Sequence, residues 1–318
     1  MVSRVSISLV AFAAGISVSA CGGGGGGTGG GVVTPPTPPA PYASNCSTTP
    51  TALSCQSGSI RVEGPQVGVR SDGVSTNSAF QLFTIDRRGT SATSDDIYTF
   101  RNIEGVAVVD RFYTNPQTRT DALGNIRVAT NVARNINGDF VTGDSSTLTL
   151  YDITSVLQGG LDYVQLGRIS PNPANGAYTY FAVGQIPSVT IMPTTGTAQY
   201  QGGTRGEYIN GAGVSYATAS DLSLTANFGT GAVTGSASNF RMIDVNNASV
   251  TPSYNLNFSM SATISGTSFS GSATGSAMTG SVDGAFYGAS SPTEAGIGFS
   301  LNDTGGAKLV GVGGARIR

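Results

Sequence analysis

From Tyr254 to Ile264 the chain reads Tyr-Asn-Leu-Asn-Phe-Ser-Met-Ser-Ala-Thr-Ile, six apolar residues alternating with five polar ones. Successive side chains on a strand point to opposite faces, so strict alternation describes a strand with one face inward and one in water. The pattern recurs at Leu222, Leu224, Ala226 and Phe228, at Phe269, Gly271, Ala273 and Gly275, at Gly280, Val282, Gly284 and Phe286, and at Ala295, Ile297, Phe299 and Leu301. Adding Thr197 to Ile209, Ala232 to Phe240 and Ala307 to Arg316 gives about eight short strands. Such a meander with Gly-rich turns predicts a closed up-and-down β-barrel, because closure removes the edges that would otherwise pair with other chains. Inward glycines suit a strongly bent wall, and a barrel of this size has room for packed side chains or one small ligand. Ser268, Ser270, Ser272, Thr274 and Ser276 make the outward face polar where lipid would demand an apolar one. The expected barrel is therefore soluble.

Upstream, from about Ile60 to Val189, apolar runs are bounded by Gly, Asn, Asp and Pro, with no sustained helical period. Candidate strands are Phe80 to Ile85, Ile97 to Asn102, Gly105 to Tyr113, Ile126 to Val132, Thr147 to Tyr151, Tyr163 to Gly167 and Tyr178 to Val183, with one short helical turn at Ser155 to Gly160. The fold class is all-β. Between residues 61 and 168, ten Arg face twelve acids, a balanced surface and not a steering field.

The N-terminus reads as an address. An apolar stretch from Val5 to Val18, too short to span a bilayer, precedes Val18-Ser19-Ala20-Cys21, the pattern of a lipoprotein signal whose cleavage leaves Cys21 as the acylated terminus. The alternative is an uncleaved anchor. A glycine run and a proline-rich run follow to residue 45, a leash whose coil reach is roughly 25 to 30 Å. Of three cysteines, Cys46 and Cys55 remain as an even pair around a turn-rich segment, and the exported setting predicts a disulfide between them, the alternative being two free thiols.

Histidine is absent, which removes Ser/His/Asp and Cys/His nucleophiles, HExxH zinc sites and His-ligated haem. Fifteen Arg and one Lys against 18 acids leave no basic footprint for nucleic acid. No enzyme and no resident cofactor are expected.

Several segments resemble the transferrin-binding protein B family. Met192-Pro193-Thr194-Thr195-Gly196-Thr197-Ala198-Gln199-Tyr200-Gln201-Gly202 is similar to the family's approach to its barrel. Gly284-Ala285-Phe286-Tyr287-Gly288, Glu294-Ala295-Gly296-Ile297-Gly298-Phe299 and Gly311-Val312-Gly313-Gly314-Ala315-Arg316 resemble its late strands, with Ile297 and Gly313 departing from the family pattern. Asp162-Tyr163-Val164-Gln165-Leu166-Gly167 carries a weaker likeness in the preceding domain. The resemblance implies one lobe, an antiparallel β handle followed by an eight-stranded barrel, in which the late motifs close and fill the barrel. It divides the chain into a signal peptide (1–20), a lipidated Cys and tether (21–45), a handle (46–190) and a barrel (191–318). It further implies an outer-membrane lipoprotein facing the cell exterior, exported by a partner of the surface lipoprotein assembly modulator type, that binds an extracellular protein or solute, with iron acquisition as one pathway. A small-solute or haem carrier and a structural or immune-evasion surface protein are the alternatives.

Among the residues that could touch a ligand, Arg87 and Arg88 follow a candidate strand and could present cations, or be a solvated turn screened by Asp86, Asp95 and Asp96. Phe112 and Tyr113 precede Thr114-Asn115-Pro116 as an aromatic-tipped turn, a source of interface anchors or of strand-end packing. Asp95-Asp96 lacks acid/base geometry, since neighbours on a strand point apart, and Asn135-Ile136-Asn137-Gly138-Asp139 is a hairpin turn before it is a calcium loop. A haem iron would have to be sought at Tyr178, Tyr180 or Met192.

Overall fold

The computed structural model describes residues 59–63, 66–71, 80–86, 96–104, 107–135, 146–153, 157, 160–170, 178–252 and 255–318. Two nine-stranded antiparallel sheets account for them, and both lie within one compact unit. The first comprises β1 (Ser59–Glu63), β2 (Val67–Arg70), β3 (Phe80–Asp86), β4 (Ile97–Glu104), β5 (Ala107–Asp121), β6 (Gly124–Asn135), β7 (Thr147–Tyr151), β8 (Val164–Ser170) and β9 (Thr179–Gly184). Its order is β1-β3-β4-β5-β6-β7-β8-β9-β2, a meander from β3 to β9 with the first two strands sent to opposite edges.

A 3-10 turn at Val189–Ile191 leads into the second sheet. Its strands are β10 (Thr197–Ile209), β11 (Ser215–Asn227), β12 (Ala232–Ile243), the two-residue β13 (Ser249–Val250), β14 (Phe258–Ser265), β15 (Ser268–Gly275), β16 (Thr279–Tyr287), β17 (Glu294–Asn302) and β18 (Lys308–Ile317). β13 pairs only with the end of β12. The other eight each pair with their sequence neighbours, and β10 pairs with β18 from Tyr200↔Ile317 to Ile209↔Lys308. The expected closed up-and-down barrel is present.

Alternation produces this barrel directly. On β14 the burial alternates from Phe258 through Met260 and Ala262, with Ser259, Ser261 and Thr263 exposed. The inward residues fill the interior: Phe269 packs on Phe286 at 5.1 Å, Phe258 on Phe299 at 5.1 Å, and Phe228 on Phe286 at 5.5 Å between ring centroids. Room for these rings comes from small residues in the wall. A Cβ on Gly284 would sit 2.1 Å from the Phe269 ring, which only glycine permits. At the two-residue turn joining β14 to β15, Gly266 takes φ +62°, a region that side chains disfavour.

The alternating run starts late as a strand. The structure begins β14 at Phe258, because Asn255 Oδ1 accepts the amide of Asn257 at 2.9 Å and turns the chain before the ladder begins. In the first sheet, β1 and β2 escaped the periodicity reading, and the expected helical turn at Ser155 to Gly160 lies largely outside the described residues.

The largest correction concerns Asn115-Pro116, where the sequence points to a turn after Tyr113. β5 instead runs on to Asp121 and turns at Ala122-Leu123. The pairing with β6 shifts register between Thr114 and Gln117, so Pro116 sits in a bulge, where its missing N–H costs no ladder bond.

Candidate functional site

The first sheet lies on the outer wall of the barrel, and the sequence shows why it lies there. Along β14 and β15 the outward residues are Ser and Thr, but the middle of the outward faces of β17 and β18 includes Gly296, Gly298, Val310, Val312 and Gly314. These small and apolar positions are buried against Val67, Val164, Leu166, Tyr180 and Ala182 of the first sheet. A Cβ on Gly314 would come within 2.4 Å of Leu161 Cδ1, and one on Gly296 within 2.9 Å of Ala182 Cβ. The glycines of the late motifs thus admit the neighbouring sheet.

Two side chains of the same motifs lock the contact. Tyr287, fully buried, donates its hydroxyl to the carbonyl of Ala182 at 2.8 Å. Glu294, at the start of β17, accepts three consecutive backbone amides where β8 begins: Asp162 N to Oε1 at 2.5 Å, Tyr163 N to Oε2 at 2.8 Å and Val164 N to Oε2 at 3.0 Å. Burial pushes its carboxyl up to about 8; the three amides pull the other way, the neighbouring Asp162 adds to the push, and burial prevails. The expectation that these motifs only close and fill the barrel is therefore too narrow.

Further along the junction, Arg205 and Glu207 project outward from β10 and are buried beneath the first sheet. Arg205 meets Asp121 at 3.4 Å and lies over the Tyr151 ring at 5.8 Å. Glu207 accepts the Tyr180 hydroxyl at 3.3 Å and that of Ser215. The β5–β6 tip is pinned beside them: Ala122 N donates to Asn247 Oδ1 at 2.8 Å, and Leu123 packs on Ala219 and Ile243. Opposite charges and hydroxyls face one another here as an internal polar seam, in which Arg205 Nη1 meets Asp121 while its buried Nη2 has no hydrogen-bond partner. Sequence reasoning passed over it because its members lie far apart in the chain.

At the end of the barrel where the connecting segment arrives, a cavity of about 110 Å³ opens between that segment and the wall. Pro193 and Thr195 form its edge; Tyr200, Phe228, Pro292 and Ile317 line its depth. The Tyr200 hydroxyl is spent on the Pro292 carbonyl at 2.7 Å.

The sequence candidates fare unevenly against this geometry. Cys21, Cys46, Cys55, Arg87, Arg88 and Asp95 lie outside the described residues, as do residues 136–139. Phe112 is on β5, its backbone opposite Thr99 of β4. Tyr113 is no exposed tip: it is fully buried mid-strand, its hydroxyl 3.1 Å from Ser146 Oγ and its ring edge-on to Phe100. Asp96 is buried and accepts the Tyr98 hydroxyl at 3.0 Å. Of the haem candidates, Tyr180 is consumed in the seam, Tyr178 carries the Arg168 guanidinium 4.6 Å above its ring, and Met192 packs against the barrel core. Burial also pushes the Tyr180 hydroxyl well above its ordinary range, which opposes the phenolate an iron ligand requires. Among the described residues no group of three acidic or cysteine side chains could hold a metal, and no helix is long and apolar enough to cross a membrane.

Comparison with known proteins bears on the barrel. No curated protein matches the chain. Among solved structures, a Transferrin Binding Protein B mutant from Haemophilus parasuis Hp5 is 12% identical over 83% of this chain and 77% of that one, with a TM-score of 0.40. The apo haemoglobin receptor HpuA from Kingella denitrificans is 16% identical over 72% of this chain and 89% of that one, with a TM-score of 0.38. Likenesses this distant carry no functional argument. The model of the C-lobe and N-lobe beta barrels of Tf-binding protein B, however, matches residues 192–317, the stretch that contains every strand of the closed barrel. Residues 192–317, which close into the eight-stranded barrel, are thus similar to the barrels of Tf-binding protein B.

Proposed function

We propose that the chain is a non-enzymatic, surface-anchored lipoprotein lobe that binds an extracellular ligand. The observation that carries the reading is the match of the barrel to the lobes of Tf-binding protein B. In this reading residues 1–20 are a signal peptide, Cys21 carries the lipid, residues 21–45 are the tether, and 46–190 and 191–318 are handle and barrel. Cys46 and Cys55 form a disulfide after export. The lobe faces the cell exterior after passage through an export partner of the surface lipoprotein assembly modulator type. Its ligand is a host or environmental protein within an iron-acquisition route, a reading that rests on the likeness of the barrel to those of Tf-binding protein B.

Replacement of Cys21 tests the anchor. C21S should move the protein from the membrane fraction to the soluble one, and retention in membranes would end the lipoprotein reading. Non-reducing peptide mapping should find Cys46 joined to Cys55; alkylatable thiols at both positions would remove the disulfide.

A second reading, a carrier for a small solute, draws on the cavity at the barrel end. The filled interior leaves a solute that opening and no lumen.

A further inference from the structure

The cavity at the barrel end has a chemistry of its own. Its depth is aromatic and aliphatic, from Tyr200, Phe228, Pro292 and Ile317, and the one phenol among them has its hydroxyl bonded to a carbonyl. Thr195 and Thr197, both exposed, put methyls and hydroxyls at its edge. No charged side chain lines it. The segments that build this end, residues 185–203, 222–234, 264–272 and 284–293, contain no Asp, Glu, Lys or Arg. Charges adjoin the lining in sequence only at Glu294, whose carboxyl is engaged by backbone amides, and at Arg316 and Arg318 on either side of Ile317. An ionised group entering the cavity would leave water without meeting a counter-charge.

Its size selects further. An apolar space of roughly 150 Å³ accepts benzene and stays dry otherwise, and this one, at about 110 Å³, suits one ring or one branched aliphatic group. Beside it the 3-10 turn exposes Val189 at 63% and Ile191 at 37%, two of the four large apolar side chains exposed among the described residues. Val189 reaches toward the Gly266 turn, so the apolar surface extends across this end beyond what a free small molecule would need. An anchor side chain in a pocket surrounded by weaker apolar contact is how polypeptides dock.

We propose that this pocket binds one uncharged aromatic or branched apolar group, presented as a side chain by an extracellular polypeptide. The source of the group rests on the receptor reading above; the chemistry of the pocket does not. The test is a titration of the purified protein, followed by the Ile317 methyl resonance, with toluene and with N-acetyl-phenylalaninamide, which carries the same ring on a peptide backbone. Both should shift that methyl, while benzoate and benzylamine bind at least tenfold more weakly. T195W, which fills the opening, should weaken both ligands at least tenfold without changing the melting temperature, and V245W, on the exposed turn after β12 at the opposite end of the barrel, should leave them unchanged. Binding of toluene alone would overturn the polypeptide source and make the site one for a free small molecule. No shift with either ligand, or shifts that survive T195W, would overturn the pocket. These outcomes are read in purified protein, whereas failure of the surface-lipoprotein reading is read in cells with C21S.

Discussion

Glu294 shows how one side chain can join two sheets. Its carboxyl receives three amides that would otherwise be buried without partners where β8 begins. E294A should therefore destabilise the protein by about 3 kcal/mol or more, measured by urea unfolding, because each orphaned buried donor costs about 1 kcal/mol or more. The pH dependence has a definite sign. The folded carboxyl is pushed up to about 8 from an unfolded value near 4.5, so between those values the unfolded state has lost a proton that the folded state keeps. Stability contributed by Glu294 is then greatest below about pH 4.5, falls as pH rises toward 8, and is constant above it. Relative to E294Q, the wild type should lose a few kcal/mol across that window; equal slopes for the two proteins would show that Glu294 does not titrate there. At the same scale, G284A should cost about 1–3 kcal/mol by driving a Cβ into the Phe269 ring, and F269L should recover part of that loss in the double variant.

Among the elements, the β5–β6 hairpin spans from the first sheet to the barrel. Residues 117–120 near its end are exposed, yet Leu123 at its tip is buried against Ala219 and Ile243, and Asp121 reaches Arg205. L123A should release the tip, costing about 2–3 kcal/mol, with amide exchange at residues 121–124 rising by more than in the barrel strands. If exchange rose uniformly, the hairpin would not be a separately docked element. This hairpin also marks where sequence reading stops. Strand periodicity identified β7 and β10 to the residue, and the Phe269, Gly271, Ala273 series gave both the direction and the facing of β15. It failed at Pro116, since a bulge lets a proline pass through a strand and nothing local distinguishes that from a turn. It failed at Tyr113 for the same reason.

For the whole molecule, the closed barrel was legible because alternation is a property of each strand, and closure follows from counting them. The placement of the first sheet was not, although its trace is present: outward Ser and Thr on β14 and β15 give way to outward Gly and Val on β17 and β18. The pocket was invisible for a different reason. It is made by residues near 193, 200, 228, 292 and 317, which only the ring of strands brings together. The fold that results has a filled interior, a buried polar seam between its two sheets, and a pocket at one end that no charged side chain lines. The central claim is that this protein stands outside the cell. The direct measurement is trypsin treatment of intact cells that make the protein, since Arg119 and Arg241 are exposed on its two sheets. The account predicts loss of the protein from intact cells while a periplasmic marker survives; protection until the cells are lysed would contradict it.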